Sequence, residues 1–193
     1  MAKTNDEIKG TEKEFLDLFN FLCYSRTAWQ VWSDLMSAMA CTIANVFETN
    51  PKRKADRENE YERCLKELGG DVEILAKLFA IVTMALENNP NQDFLGKLYM
   101  QLNLGSHWHG QFFTPYDVCK MMSLITIGDT VRSKAEDRDF IAVSDPACGA
   151  GATLISAANT FKEQGINYQQ ELLFVRQDID RVVGQMCYIQ LSL

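Results

Sequence analysis

The chain has 193 residues, 47% of them hydrophobic, and a formal net charge of −7. This length predicts one or two domains, and no apolar run comes near the roughly 20 residues that a membrane-spanning helix needs. A secretory signal requires an apolar segment shortly after the first residues, and this sequence has none there. These features exclude a membrane-spanning protein and predict a soluble, cytoplasmic one.

Both halves of the chain are acidic, with 12 basic and 16 acidic residues in 1–105 and 7 and 10 in 106–193. A DNA-binding domain that acts alone usually has a basic excess. If the protein acts on DNA, we therefore expect most phosphate contacts to come from other residues or from a partner.

Cysteines and histidines give no sign of a metal site. The six cysteines form no Cys-x-x-Cys pair, and most lie in apolar helical settings, which predicts buried thiols in a reducing cytoplasm. His107 and His109 flank Trp108, but two histidines without a further ligand at suitable spacing make a poor metal site. We expect no bound metal.

The first half of the chain has the pattern of packed helices. No glycine or proline interrupts residues 11–50, and apolar residues recur there at spacings of three and four. Thr11 and Glu14 form a capping box, which predicts that a helix begins at this point. Trp29 and Trp32 could stack on nucleic acid bases, but their helical spacing favours packing in a core.

Breaks later in this half define further helices. Asn50-Pro51 ends the second one, and the charged segment 52–58 is either a loop or a solvated helix start. Gly69-Gly70 ends the third helix, and Asp71 is placed to cap the fourth. With a short fifth helix before residue 105, the pattern predicts a helical domain over residues 1–105.

Residues 140–158 read as strand, tight loop and helix. The apolar run Phe140–Val143 precedes the loop Asp145-Pro-Ala-Cys-Gly-Ala-Gly, and the apolar residues of a helix follow. Open α/β sheets bind ligands at such loops, and glycines let a backbone approach a ligand closely. Asp145 can accept hydrogen bonds from ligand amino groups. The glycines alone also fit an ordinary turn, and a dinucleotide fingerprint would need glycine or alanine at Leu154.

The loop resembles the S-adenosylmethionine loop of amino-methylating DNA methyltransferases, whose pattern is Asp-Pro-Ala-Cys-Gly-Ser/Ala-Gly. Upstream of it, Gly110-Gln111-Phe112-Phe113-Thr114-Pro115 resembles the Gly-x-Phe-Tyr/Phe-Thr-Pro signature of the same family. The two motifs follow each other in the family's order. The chain therefore resembles the modification subunit of a type I restriction-modification system, an N-6 adenine-specific DNA methyltransferase.

The resemblance implies which residues lie near S-adenosylmethionine. In the loop these are Asp145, Ala147 and Gly149. In the upstream motif, Thr114 corresponds to a contact at the methionine end of the cofactor. The residues alone also allow a local interpretation, with Thr114 as the N-cap of a helix and Pro115 at its first position.

A third element follows in the family's order. Residues 171–180 read as a buried strand that ends in acids, and a carboxylate can accept hydrogen bonds from both ribose hydroxyls. By resemblance, Asp178 is the ribose-binding acid and Ile179 lies against adenine. Arg176 stands where the family commonly has glycine, and Asp178 is one methylene shorter than the usual glutamate. Asp180 is expected to cap the last helix.

The family's catalytic motif, Asn/Asp-Pro-Pro-Tyr/Phe, holds the adenine after it has been flipped out of the duplex. None of the four prolines of this chain is adjacent to another, so the motif is absent. We therefore assign no catalytic residue and expect this chain alone to be inactive. Because the sequence stops inside a predicted helix, we expect it to be the N-terminal portion of a longer protein.

The expected fold is a mainly α N-terminal helical domain (1–105) followed by the truncated start of an α/β, Rossmann-like S-adenosylmethionine-dependent methyltransferase domain (106–193). The resemblance implies DNA as the substrate of the full-length protein, and the specificity and restriction subunits of a type I system as partners. The alternative is a non-catalytic interaction or regulatory protein that retains the helical domain and a degenerate cofactor loop.

Overall fold

The computed structural model describes residues 5–105, 112–128 and 140–193. Most of these residues are helical, and two strands form a small parallel sheet. In chain order the elements are α1 (Asn5–Leu22), α2 (Ala28–Phe47), α3 (Pro51–Glu67), α4 (Val72–Asn88), α5 (Phe94–Gln101), α6 (Tyr116–Ile127), β1 (Ile141–Asp145), α7 (Ala152–Glu163), α8 (Tyr168–Glu171), β2 (Leu172–Arg176) and α9 (Arg181–Ser192). A short 3-10 turn, Cys23–Ser25, joins α1 to α2.

The start of the first helix differs from the prediction. Helix α1 begins at Asn5, so Thr11 and Glu14 lie inside it and form no capping box at its start. An N-cap residue needs non-helical backbone, and here the helical backbone runs on through Thr11. A capping box occurs instead at α2, where Thr27 and Gln30 each accept a backbone hydrogen bond from the other.

The later helix boundaries agree with the sequence. The Asn50 side chain accepts hydrogen bonds from the backbone N–H groups of Lys52 and Arg53, so the charged segment opens α3 rather than forming a loop. Gly69 and Gly70 adopt φ of +94° and +77° and end that helix. Asp71 caps α4 through the N–H groups of Glu73 and Ile74.

Aromatic side chains fill the centre of the helical region. Trp32 is fully buried, and its ring meets Phe15, Phe19 and Tyr99 edge-on at centroid distances of 6.1, 5.7 and 6.0 Å. Trp29 is 40% exposed and packs edge-on against Tyr99. The expectation of core packing is therefore confirmed for Trp32, while Trp29 lies at the border of the core.

The strand–loop–helix pattern of the second half is present. Strand β1 pairs with β2 in parallel, in register from Ile141 opposite Leu172 to Asp145 opposite Arg176. Parallel strands need a long crossover connection, which α7 and α8 supply. One side of the sheet packs on a small cluster of buried side chains from Ile127, Ala157, Phe161 and Ile166.

Helix α9 joins the sheet region to the first half of the chain. Its buried residues Val182, Val183, Met186 and Ile189 belong to the same apolar cluster as the helical core. Ala150, from the glycine loop, is part of this cluster too. The main core therefore extends from the first five helices to the loop that follows β1.

No helix in the described ranges combines the length and apolar character that a membrane crossing requires.

Candidate cofactor-binding cleft

A cleft of about 260 Å³ opens beside the loops that follow β1 and β2. The structure brings all six of the ligand residues suggested by the sequence into its wall. They are Thr114, Asp145, Ala147, Gly149, Asp178 and Ile179. The wall also contains residues that sequence reasoning did not select as ligand residues, among them Asp93, Phe113 and Val183. Among the described residues, those of the wall include three carboxylates and no lysine, arginine or histidine.

Asp145 shapes the glycine loop through both of its carboxylate oxygens. Its Oδ1 accepts a hydrogen bond from the backbone N–H of Ala147 over 3.0 Å, and its Oδ2 accepts one from the hydroxyl of Thr153. The sequence pointed to Asp145 as an acceptor for a ligand. The structure adds a local role, since the side chain turns the chain sharply after β1.

The loops after the two strands are also bonded to each other. The backbone N–H of Gln177 donates to the carbonyl of Asp145 over 3.0 Å, and the N–H of Cys148 donates to the carbonyl of Gln177 over 2.9 Å. The carboxylate of Asp178 accepts from the N–H of Gly149 over 2.9 Å and from the N–H of Asp180 over 2.9 Å. Asp178 therefore fixes the glycine loop from the opposite strand end.

Two glycines of the loop have positive φ, a backbone conformation that favours glycine. Gly149 has φ of +55° and Gly151 has φ of +102°. A Cβ on Gly151 would lie 2.9 Å from Sγ of Cys187 on α9, and a Cβ on Gly149 would lie 3.4 Å from the ring of Phe113. Gly151 thus permits close packing of the loop on α9, and Gly149 permits the approach of Phe113.

The Phe113–Pro115 segment connects the cleft to the helical core. The ring of Phe113 lies 5.2 Å from that of Tyr99, between centroids. The prediction that Thr114 caps α6 is wrong. The helix begins at Tyr116, and the N-cap residue is Pro115, whose ψ of 139° keeps it non-helical and which forms no side-chain cap bond. Thr114 is therefore exposed, in the cleft wall.

Ile179 and Arg176 have contrasting surroundings. Ile179 is fully exposed beside the cleft. Arg176 stands outside the cleft wall. Its guanidinium donates to the carbonyl of Gly184 over 2.7 Å and lies 5.1 Å from the centroid of the Tyr188 ring. Arg176 stands where the family commonly has glycine, and its side chain packs on α9 rather than in the cleft.

A buried amide behind the cleft is bonded to a carboxylate of the cleft wall. Asp93 caps α5, and its Oδ1 accepts hydrogen bonds from the N–H of Gly96 over 2.8 Å and from Nε2 of Gln190 over 2.7 Å. Burial raises the pKa of Asp93. The sequence signals only the helix cap, because Asp93 and Gln190 are 97 residues apart.

Burial disfavours a nucleophilic role for two cysteines of this region. Cys148 and Cys187 are buried, and burial raises the pKa of both thiols. Within the part of the chain that the structure describes, no group of three or more His, Cys, Asp or Glu side chains could hold a metal ion. His107 and His109 lie outside the described residues, as do Gly110 and Gln111 of the upstream motif.

A larger cavity of about 530 Å³ lies along β1, between α6 and α7. Of the six ligand residues suggested by the sequence, its wall contains only Asp145. Most of the wall is apolar, with Met122, Ile127 and Phe161 among its side chains. The groups that could bind a nucleoside are therefore concentrated in the smaller cleft.

The sequence model of the N-6 DNA methylase family matches residues 91–193. The chain belongs to this family. The matched region contains the whole described wall of the cleft, from Asp93 to Val183. No curated protein and no solved structure matches the chain. Membership of the family supports a methyltransferase-type enzyme that acts in DNA methylation.

Proposed function

We propose that the chain is the N-terminal part of an S-adenosylmethionine-dependent DNA adenine-N6 methyltransferase, the modification subunit of a type I restriction-modification system. In this proposal residues 1–105 form the helical domain, and residues 106–193 form the first part of a Rossmann-like cofactor domain. The observation that carries it is the convergence of Thr114, the glycine loop and Asp178 on one cleft of a chain that belongs to the N-6 DNA methylase family.

The chemistry of the cleft wall fits this cofactor. S-adenosylmethionine supplies an electrophilic methyl group on a positively charged sulfonium when it is bound. The described wall has three carboxylates and no basic side chain, which suits a ligand with cationic groups. Next to the carboxylate of Asp178, Ile179 offers an exposed apolar surface of the kind that packs against a base.

Each residue then has a defined task. Asp178 accepts hydrogen bonds from the ribose hydroxyls, for which its oxygens retain lone pairs beyond those used by Gly149 and Asp180. Ile179 packs against adenine. Ala147 and Gly149 bring backbone close to the ligand, Asp145 keeps the loop in shape, and Thr114 binds at the methionine end.

The residues that hold the target adenine lie outside this sequence in the proposal, because the sequence contains no Pro-Pro pair and hence no Asn/Asp-Pro-Pro-aromatic motif. The 193-residue chain alone would then be inactive. DNA would be bound together with the specificity subunit, which agrees with the net charge of −7 on this chain. A restriction subunit is the further partner, and the complex acts in the cytoplasm.

The test is calorimetric titration of S-adenosylmethionine into the purified chain and two variants. We expect the folded chain to bind, and Asp178→Asn to bind at least about tenfold more weakly, a loss of about 1.4 kcal/mol. Asparagine keeps one carbonyl oxygen, which can accept from the N–H of either Gly149 or Asp180 but not from both. Asp117→Asn is the control, since Asp117 is an exposed acid in the first turn of α6 outside the cleft wall.

A folded chain that does not bind S-adenosylmethionine would overturn the proposal, and the alternative of a non-catalytic interaction protein would then stand. Equal affinity of the parent chain and Asp178→Asn would overturn the assignment of the ribose-binding acid.

A further inference from the structure

The side chain of Asp93 has one occupied and one open carboxylate oxygen. Its Oδ1 accepts the two hydrogen bonds from Gly96 and Gln190, whereas Oδ2 has no hydrogen-bond partner among the described residues. Oδ2 is not completely buried, so it retains access to open space. Asp93 is part of the cleft wall, which makes the cleft the open space beside this side chain.

Gly96 makes this arrangement possible. A Cβ at position 96 would lie 2.0 Å from Oδ2 of Asp93, which no side chain tolerates. The absence of a side chain at Gly96 therefore leaves room for the carboxylate in its present orientation. Asp93 also caps α5 through Oδ1 alone, so its second oxygen is not needed for the helix.

The charge of Asp93 has no counterion in the described protein. The groups that act on it are the amide of Gln190 and the N–H of Gly96, and no cationic side chain is among them. Buried charges in proteins are normally paired with an opposite charge. A partly buried carboxylate that faces a cleft without such a partner is suited to a cationic ligand group.

Asp93 and Thr114 both lie near the Cys119 side chain. Asp93 and Asp145 both raise the pKa of the Cys119 thiol, to which Asp178 makes no such contribution. The Cys119 thiol in turn donates to the carbonyl of Thr114, with a distance of 3.8 Å between Sγ and O. Asp178 and Asp145 both act on Cys148, in the glycine loop. Asp93 is therefore placed beside the segment that carries Thr114, whereas Asp178 is bonded to the glycine loop.

We propose that Asp93 binds the α-ammonium group of the cofactor's methionine moiety through its open Oδ2. This inference rests on the proposed function, since it takes S-adenosylmethionine as the ligand of the cleft. It adds a residue from the helical region to the binding site and explains why the helix cap at α5 belongs to the cleft wall.

The experiment compares two ligands and three variants by calorimetric titration. The ligands are S-adenosylmethionine and 5′-methylthioadenosine, which keeps the nucleoside and thioether but lacks the amino acid. Asp93→Asn preserves an acceptor for Gly96 and Gln190 and removes the charge. Asp71→Asn is the matched control, because Asp71 is also a helix cap that accepts from two backbone N–H groups, but lies outside the cleft wall. Asp178→Asn reports on the nucleoside end.

We expect Asp93→Asn to weaken S-adenosylmethionine binding by about tenfold to a hundredfold, the range for a hydrogen bond to a charged group. Binding of 5′-methylthioadenosine should change by less than about twofold, because that ligand has no ammonium group for Asp93. Asp178→Asn should weaken both ligands, and Asp71→Asn neither.

Other outcomes separate the two proposals. If the parent chain binds S-adenosylmethionine and Asp93→Asn binds it equally well, the assignment of Asp93 is wrong and the proposed function is unaffected. Equal losses for both ligands in Asp93→Asn would also overturn it, since they would indicate a general disturbance of the cleft. If the folded parent chain binds neither ligand, the proposed function itself fails, and this inference fails with it.

Discussion

Gln190 holds the carbonyl of Ala150 in place, with 2.8 Å between its Nε2 and the carbonyl oxygen. The same nitrogen donates to Asp93 over 2.7 Å, and Oε1 accepts from the backbone N–H of Leu95 over 3.0 Å. This buried amide thus joins α9, the glycine loop and the start of α5. Satisfied polar networks of this kind fix one arrangement of a core, because each unmade bond inside it is costly.

Replacement of Gln190 by leucine should destabilise the protein by at least about 2 kcal/mol, since each buried polar group left without a partner costs about 1–3 kcal/mol. The N–H of Leu95 and the carbonyl of Ala150 would both lose their bond to this side chain. Urea denaturation measures the change in the free energy of unfolding.

Gln185→Leu is the control on the same helix, because Gln185 makes one 3.2 Å hydrogen bond, to the hydroxyl of Ser37, and is only partly buried. We expect it to cost less than about 1 kcal/mol. Equal losses for the two variants would show that the network around Gln190 contributes no more than a single peripheral hydrogen bond.

Gly151→Ala should be strongly destabilising. Its φ of +102° is unfavourable for any residue with a Cβ, and that Cβ would lie 3.3 Å from the Cα of Cys187. Backbone strain of about 1–2 kcal/mol and overpacking of about 1–3 kcal/mol should both contribute to the loss.

Gly70→Ala is the comparison for the backbone alone, because Gly70 has φ of +77° and a methyl group at this position would meet nothing within 4 Å. Chemical denaturation of both variants should give the larger loss for Gly151→Ala. If Gly70→Ala is equally destabilised, contact with α9 contributes nothing and only the backbone conformation matters.

Phe113 and Phe112 are adjacent phenylalanines with different surroundings. Phe112 is 85% exposed, whereas Phe113 packs against the Tyr99 ring at a centroid distance of 5.2 Å. Phe113→Ala should therefore lower the free energy of unfolding by about 2 kcal/mol, since the ring is partly buried and packs against another aromatic ring. Phe112→Ala should change it by less than about 0.5 kcal/mol. The reverse order in thermal or urea denaturation would contradict the anchoring role of Phe113.

Asp93 should make stability depend on pH. Burial raises the pKa of its carboxyl above the ordinary value for aspartate, so the folded chain holds this proton at pH values where the unfolded chain has lost it. The contribution of Asp93 to stability therefore falls as the pH rises through that interval. Asp93→Asn does not titrate, so its stability relative to the parent chain should increase from about pH 4 to pH 7. Urea denaturation across this range tests the sign, and a difference independent of pH would refute it.

Local signals in the sequence were sufficient for most helix boundaries. The side chains of Asn50, Asp71 and Asp180 cap helices through N–H groups two or three residues away. Gly69 and Gly70 end α3 through the positive φ of their own backbone. The start of α1 was wrong because a capping motif lies within a helix that begins earlier. Thr114 is a residue type that favours the N-cap position, but the N-cap of α6 is Pro115, whose backbone is still non-helical.

The candidate site was predicted in part. Its six residues belong to motifs of a recognisable family, and the structure brings them into one cleft. The contact between Asp93 and Gln190 had no signal in the sequence, because their hydrogen bond joins positions 97 residues apart. Such a contact depends on how α5 and α9 pack, which residue spacing does not encode.

The buried cluster that unites the first five helices with α9 and Ala150 has a thermodynamic consequence. Because the wall of the cleft and the helical core share this cluster, melting of one exposes the other, and unfolding should occur in a single cooperative transition. Any ligand that binds only the folded cleft then raises the melting temperature of the helices by mass action. Thermal melting followed by far-ultraviolet circular dichroism, which reports on helices remote from the cleft, therefore measures binding of the ligand in the cleft.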